Sequence, residues 1–262
     1  MKNNSECKTF SVQDIKPVLN KVAETIENKL KRETFFADKD LQITLYLQFK
    51  IALTNFQGVI YLCKSHEKEF ADLFLNCPVL NRSLFDALFQ AILLLDNPPK
   101  FRERVSKTAL REAKEIHQFR ESEYGENQLA KDKLSEFKKK IEVEYKLDKL
   151  SQHTSTKQIL DIFKAQNKPI ASLLKYLYEA YYVNLSQFSH LQATGLLRMN
   201  KLINSSMEKK ISEFINSEIW TATNLFLCLV SEIETDLNFG LKQDIFKLWS
   251  YYIIGNPTTK KI

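Results

Sequence analysis

Glycine is scarce in this chain, five residues in 262, and proline is little commoner at six. An all-β protein needs many glycine-bearing turns and a phosphate loop needs clustered glycines, so both readings drop out. Cysteine is sparse too. Cys7, Cys63, Cys77 and Cys228 form no Cys-x-x-Cys pair. A reducing cytosol is therefore expected, with no disulfide framework and no metal. Long apolar runs are missing. The longest, residues 91–95 and 225–230, fall well short of the ~20 residues that cross a bilayer. The opening Met1-Lys2-Asn3-Asn4-Ser5-Glu6 lacks the apolar stretch of a secretion signal. A soluble cytoplasmic protein with no membrane partner is the expectation.

What the chain has in abundance is helical periodicity. A first helix is expected from Ser11 to about Lys31, and a second, capped by Asp40, through Leu41, Leu45, Phe49, Ala52, Phe56, Ile60 and Cys63. Asn76-Cys77-Pro78 is a breaker, and so is Asp96-Asn97-Pro98-Pro99, which closes a very apolar helix. From Phe101 to Leu150 charge rises and the apolar stripe thins, with Gly125-Glu126-Asn127 as a turn between two charged helices. Ser155 with Gln158, and Ser205 with Glu208, match capping boxes. One continuous helix is expected from Ile170 to Gly195, a long one ending at Asn238-Phe239-Gly240, and a short one from Gln243 to Ile253 docked by Trp249, Tyr251 and Tyr252. The fold expected is all-α, an antiparallel multi-helix bundle of about nine or ten helices with a charged helical hairpin in the middle. Residues 1–255 form one domain in this reading, with the hairpin at 101–150 inserted and a flexible tail at 256–262.

Lysine and arginine number 38 against 32 acids, a net charge of +6. The two signs alternate, as in Glu136-Phe137-Lys138-Lys139-Lys140-Ile141-Glu142, so most of the excess reads as solvated helix surface. RNA is admitted as a partner without being demanded.

The candidate chemistry lies in polar insertions into apolar helices. Tyr178, Tyr182, Ser186 and His190 follow one another at i, i+4 and would line one face of a helix. Arg82 and Asp86 stand at the same spacing among Leu80, Leu84, Phe85, Leu88, Phe89, Ile92 and Leu93. Buried polar groups need partners, so the two helices are expected to face each other and share a network. Ser186 and His190 admit a nucleophile–base pair with Asp86 as the orienting group; helix-borne Ser–His pairs lack an exposed elbow and oxyanion donors, and the structural alternative is a hydrogen-bonded core. Arg82 with Asp86 suits either a forked anion or a buried ion pair. Tyr176, Tyr178, Tyr181 and Tyr182 offer stacking surfaces for bases, and at helical spacing they also suit a core. His66 and His153 sit in polar contexts and read as surface residues. No HExxH, EF-hand, P-loop or kinase signature occurs, and no glutamate stands three residues before a histidine, so no cofactor is expected.

Arg111 and His117 fit an Arg-x5-His spacing, which resembles the loose Arg-x4–6-His motif of HEPN ribonucleases. That resemblance implies metal-independent RNA cleavage at a dimer cleft. The residue after the arginine is Glu112, where that family usually has Asn, Asp or His, and six residues advance ~240° around a helix, off a common face. Two further stretches, Asn81-Arg82-Ser83-Leu84-Phe85-Asp86-Ala87 and Tyr181-Tyr182-Val183-Asn184-Leu185-Ser186-Gln187-Phe188-Ser189-His190, resemble the Arg-x3-(Glu/Asp)-Ala and Tyr-x3–4-Ser-x3-His helices of a broad bacterial family of helical proteins of unknown function. The likeness covers about residues 40–200, with Asp86 where glutamate is more usual. It implies a fold and a polar centre; some members are distantly HEPN-like and lie beside mobile-element and phage-defence genes. The functional expectation is a cytosolic effector of the defence or toxin type, RNA-cleaving or RNA-binding, with Arg82, Asp86, Ser186 and His190 as its centre and a homodimer compatible with it. Cleavage would need no metal: His190 as acid and base, Asp86 orienting it, Arg82 steadying a phosphate. The alternative is a non-catalytic interaction module that presents the 101–150 helices to a protein partner.

Overall fold

The computed structural model describes residues 12–65, 73–145, 156–165, 167, 171–182, 185–187, 193–203 and 208–255. Among these the structure is all-helical. Its α-helices are α1 Val12–Arg32, α2 Lys39–Ser65, α3 Cys77–Asp96, α4 Pro98–Tyr124, α5 Gln128–Glu144, α6 Thr156–Ala165, α7 Ala171–Leu177, α8 Ala193–Ile203, α9 Glu208–Leu237 and α10 Lys242–Gly255. A 3-10 turn at Leu73–Asn76 leads into α3, and a π turn at Tyr178–Tyr182 follows α7. Two compact units result, one of Met1–Ile92 with Lys175–Ile262 and one of Leu93–Leu174.

In the first unit α2 packs against α1, α9 and the 3-10 turn, and α10 packs against α1 and α9. Cross-pairs set the directions: Gln42 reaches the Leu30 carbonyl at 2.7 Å and Lys50 reaches Glu27 at 3.1 Å, so α1 and α2 run antiparallel. Phe226 of α9 is fully buried, stacked on Phe56 at 4.9 Å and near Phe49 at 6.1 Å. From Thr221 to Val230 every residue of α9 is buried, as befits a helix enclosed on all sides. Gly58 of α2 faces α3 so closely that a Cβ there would meet Leu80 at 2.9 Å.

Helix ends follow local chemistry. Pro17 lies inside α1, in its second turn, where it removes one i→i−4 hydrogen bond of the helix. Cys77-Pro78 starts α3 rather than ending the element before it, since proline suits a first helical turn. Segment Leu73–Asp96 is apolar enough to span a bilayer by composition, but 61% of its apolar window is buried in the fold. At the far end of α9, Glu234 is 2% exposed and its carboxylate accepts the backbone N–H groups of Phe239 at 2.8 Å and Leu241 at 3.0 Å. Trp249 of α10 donates to Ser231 of α9 at 3.0 Å; the side chains of Tyr251 and Tyr252 lie outside the described residues, as do Cys7, Ser155, Ser205 and the 256–262 tail.

The second unit contains the charged hairpin. Asn97 accepts from the Lys100 N–H and caps α4; Asn127 does the same for Ala130 and α5. Gly125 joins them at φ +81°, a backbone region that L side chains rarely adopt. Lys131 binds Glu121 near the turn and Arg102 faces Glu144 far from it, so the pair is antiparallel. Between the helices lies a cavity of about 650 Å³ bordered by His117, Leu134 and Phe137.

Two stability predictions follow from these contacts. Phe226→Ala removes a ring from the centre of the core and costs about 3–5 kcal/mol, read as a lowered urea midpoint at unchanged slope. Glu234→Ala leaves two buried N–H groups without acceptors and costs about 2–4 kcal/mol; Glu234→Gln keeps one acceptor and costs less.

Candidate functional site

Three consecutive polar residues of α3 set the site. A helix turns ~100° per residue, so Asn81, Arg82 and Ser83 leave in three directions. Ser83 accepts from Asn55 of α2 at 2.9 Å. Asn81 reaches α9, where it donates to the Glu218 carboxylate at 2.7 Å and the Glu218 carbonyl at 3.1 Å. Arg82 turns to the Tyr178–Ser186 stretch.

The guanidinium of Arg82 has three partners. Its Nε donates to Asp86 at 3.0 Å, its Nη1 donates to the Ser186 hydroxyl, and its carbon lies 3.7 Å from the centroid of the Tyr182 ring. Tyr182 stacks in turn on Tyr178 at 4.8 Å and tilts against Phe85 at 5.2 Å. A cation over an aromatic face is stabilised by about 0.5–2 kcal/mol, most when water is excluded. The Arg82 side chain is 18% exposed and that of Asp86 46%, so the centre is open to solvent on its carboxylate side. An i, i+4 ion pair this exposed contributes only about 0.3–0.5 kcal/mol.

The sequence-derived centre is thus assembled in part. Arg82, Asp86 and Ser186 are together. Ser186 is held by Arg82, and Asp86 by the same guanidinium. His190 lies outside the described residues, as do His66 and His153. One expectation is corrected. Ile170 to Gly195 is not α-helical throughout: α7 ends at Leu177 and a π turn spans Tyr178–Tyr182, with α-helical residues again at 185–187 and in α8 from Ala193. Nothing local dictates the widening, since residues 178–182 contain neither glycine nor proline; the turn coincides with the Arg82 stack, and π turns concentrate at functional sites. The four tyrosines are also less buried than a core would make them. Tyr176 is 53% exposed, and no residue of the π turn is buried. Tyr181 lies 6.2 Å from Tyr176 and 5.4 Å from Trp220, and burial followed by the Tyr176 hydroxyl pushes its phenol above the usual range.

Arg111 and His117 each turn to an acid one turn on, Glu115 at 3.5 Å and Glu121 at 3.7 Å. They do not combine into a pair. Neither Asn81 nor Glu218 is among the expected site residues, although both stand on apolar stripes: Cys77, Asn81, Leu84, Leu88 on α3, and Ile211, Ile215, Glu218, Ala222, Leu225 on α9. Cys63 and Cys77 lie beside them, Sγ to Sγ at 3.5 Å; both are buried free thiols, as is Cys228. The Cys63 contact, then burial, raises the Cys77 thiol pKa, and burial pushes that of Cys228 up to about 12. Protonated thiols of this kind are poor nucleophiles. No group of metal-ligating side chains is found among the described residues.

Fold and site together define a helical protein with an open polar centre, an arginine clamped between a carboxylate, a hydroxyl and a tyrosine stack. The chain belongs to the family of unknown function DUF5677, which its residues 42–210 match. No curated protein and no solved structure matches it.

A double-mutant cycle tests the clamp. Arg82→Gln and Tyr182→Leu, singly and together, should give a coupling of about 1 kcal/mol in urea denaturation. Additive effects would remove the stack from the account.

Proposed function

We propose that this protein is a helical effector of the defence or toxin type that binds single-stranded RNA at the Arg82–Tyr182 centre. The observation that carries the reading is the half-open stack itself: a guanidinium over Tyr182, and Tyr182 over Tyr178. Base stacking on such rings contributes about 1–3 kcal/mol per base and tolerates any sequence. Asp86 leaves Arg82 locally neutralised, so the ring faces contribute more than net charge, and the +6 of the whole chain adds a weaker electrostatic pull. A cleaving version of this function adds His190 as acid and base, without a metal.

The second reading, a non-catalytic interaction module, is favoured by a different observation. Ile43, Leu47 and Ile51 of α2 are 53, 51 and 49% exposed at i, i+4, i+8. A contiguous apolar ridge on a surface helix is more typical of a protein contact than of RNA.

Fluorescence anisotropy with a labelled oligouridylate at low salt separates the two. The RNA reading predicts measurable binding with a shallow salt dependence, weakened at least tenfold when Tyr178 and Tyr182 are both changed to Leu. Absence of binding at 50 mM salt, or binding indifferent to both tyrosines, would reject it. Incubation with EDTA then tests cleavage: strand scission that His190→Ala abolishes supports the catalytic version, and intact RNA restricts the function to binding.

A further inference from the structure

Glu218 is the group whose position most needs explaining. It is 7% exposed on the inward stripe of α9, and its side-chain partner Asn81 on α3 is not exposed at all. Asn81 donates through Nδ2 to the Glu218 carboxyl at 2.7 Å, yet its own Oδ1 is buried and receives no hydrogen bond. An ionised carboxylate has acceptors only, whereas a protonated one has a donor to give. A buried acceptor left unmet costs about 1–3 kcal/mol. No ion pair to Glu218 is found among the described residues. The titratable groups near it are thiols: Cys77 of α3, which its charge affects, and behind it Cys63 of α2, 3.9 Å from the Ile215 carbonyl. Neither supplies positive charge.

We propose that Glu218 is protonated in the folded protein, paired with Asn81 as carboxylic acid to amide, and that this pair is a pH-operated latch between α9 and the first turns of α3. The hydroxyl of the acid donates to Asn81 Oδ1, and the Asn81 N–H groups keep the contacts already present. Burial pushes the Glu218 carboxyl from 4.5 up to about 7, with the Asn81 hydrogen bond pulling the other way. A carboxyl raised in the folded state contributes stability that is complete below its unfolded value and is lost as pH rises through its folded value. Above neutrality the latch therefore holds an uncompensated charge between α9 and α3, one residue from Arg82, and the joint weakens. The polar centre of α3 is coupled to pH through this residue.

The test compares the wild type with Glu218→Gln by chemical denaturation between pH 5 and pH 8. Glutamine is neutral at every pH and offers both a donor for Oδ1 and an acceptor for Nδ2. The wild-type folding constant should fall across this range by roughly one to two orders of magnitude more than that of the variant. Every other titratable group is common to the two proteins and cancels in the comparison. Parallel profiles would overturn the proposal. If the variant does not fold, a carbon NMR titration of glutamate carboxyls in the wild type decides: one midpoint near 7 is expected, and all midpoints below 5 would overturn it. For the latch, amide exchange over residues 79–84, corrected for intrinsic rate, should accelerate above pH 7 in the wild type; a ratio constant with pH would leave the proton without a conformational role and refute that half.

Discussion

The structure of the first unit depends on satisfying one guanidinium. Arg82 projects from a mostly apolar helix with its side chain only 18% exposed, and a charge so far removed from water is held best when it is paired and hydrogen-bonded. Its partners come from the same helix and from a segment 104 residues away in sequence. That requirement fixes the rotation of α3, and the rotation places its neighbours. Asn81 falls on α9, Ser83 on α2, and Phe85 on the rim of Tyr182. Four residues of one helix, Asn81, Arg82, Ser83 and Phe85, thereby register three other elements, and an error at Arg82 would be felt at each of them.

Helix order was readable because its signals are local. Asn97 before two prolines, Gly125 between two charged stretches, and Asn238-Phe239-Gly240 after an apolar run each mark a boundary by their own backbone preferences. The meeting of Arg82, Asp86 and Ser186 was also readable, since polar residues at helical spacing in an apolar stripe must find one another. The π turn was not, because residues spaced at i, i+4 look alike whether the turn is α or π, and the widening coincides with a contact distant in sequence. Glu218 escaped for another reason. A single glutamate in a long helix reads as surface unless its angular position is computed, and Glu234, which folds back on the backbone beyond α9, escaped in the same way.

The tyrosines show how exposure changes a reading. A Leu-rich segment with four tyrosines has the composition of a core, but the π turn leaves its rings half-open beside a cation. A surface of that kind has more ring face than net charge, since Asp86 cancels the arginine beside it. Such a balance suits a ligand that stacks. The α2 ridge, apolar and on another face of α2 from the buried line Leu45, Phe49, Ala52 and Phe56, suits a ligand that buries. The chain carries both surfaces, and the two functional readings correspond to them.

The account stands on the Arg82 guanidinium being held over Tyr182. Proton–nitrogen NMR of arginine side chains measures this directly. The prediction is one Nε–H resonance shifted upfield by the ring, exchanging slowly with solvent, and returning to the ordinary position in Tyr182→Leu. Arginine Nε–H signals all at ordinary positions and all exchanging freely in the wild type would contradict it.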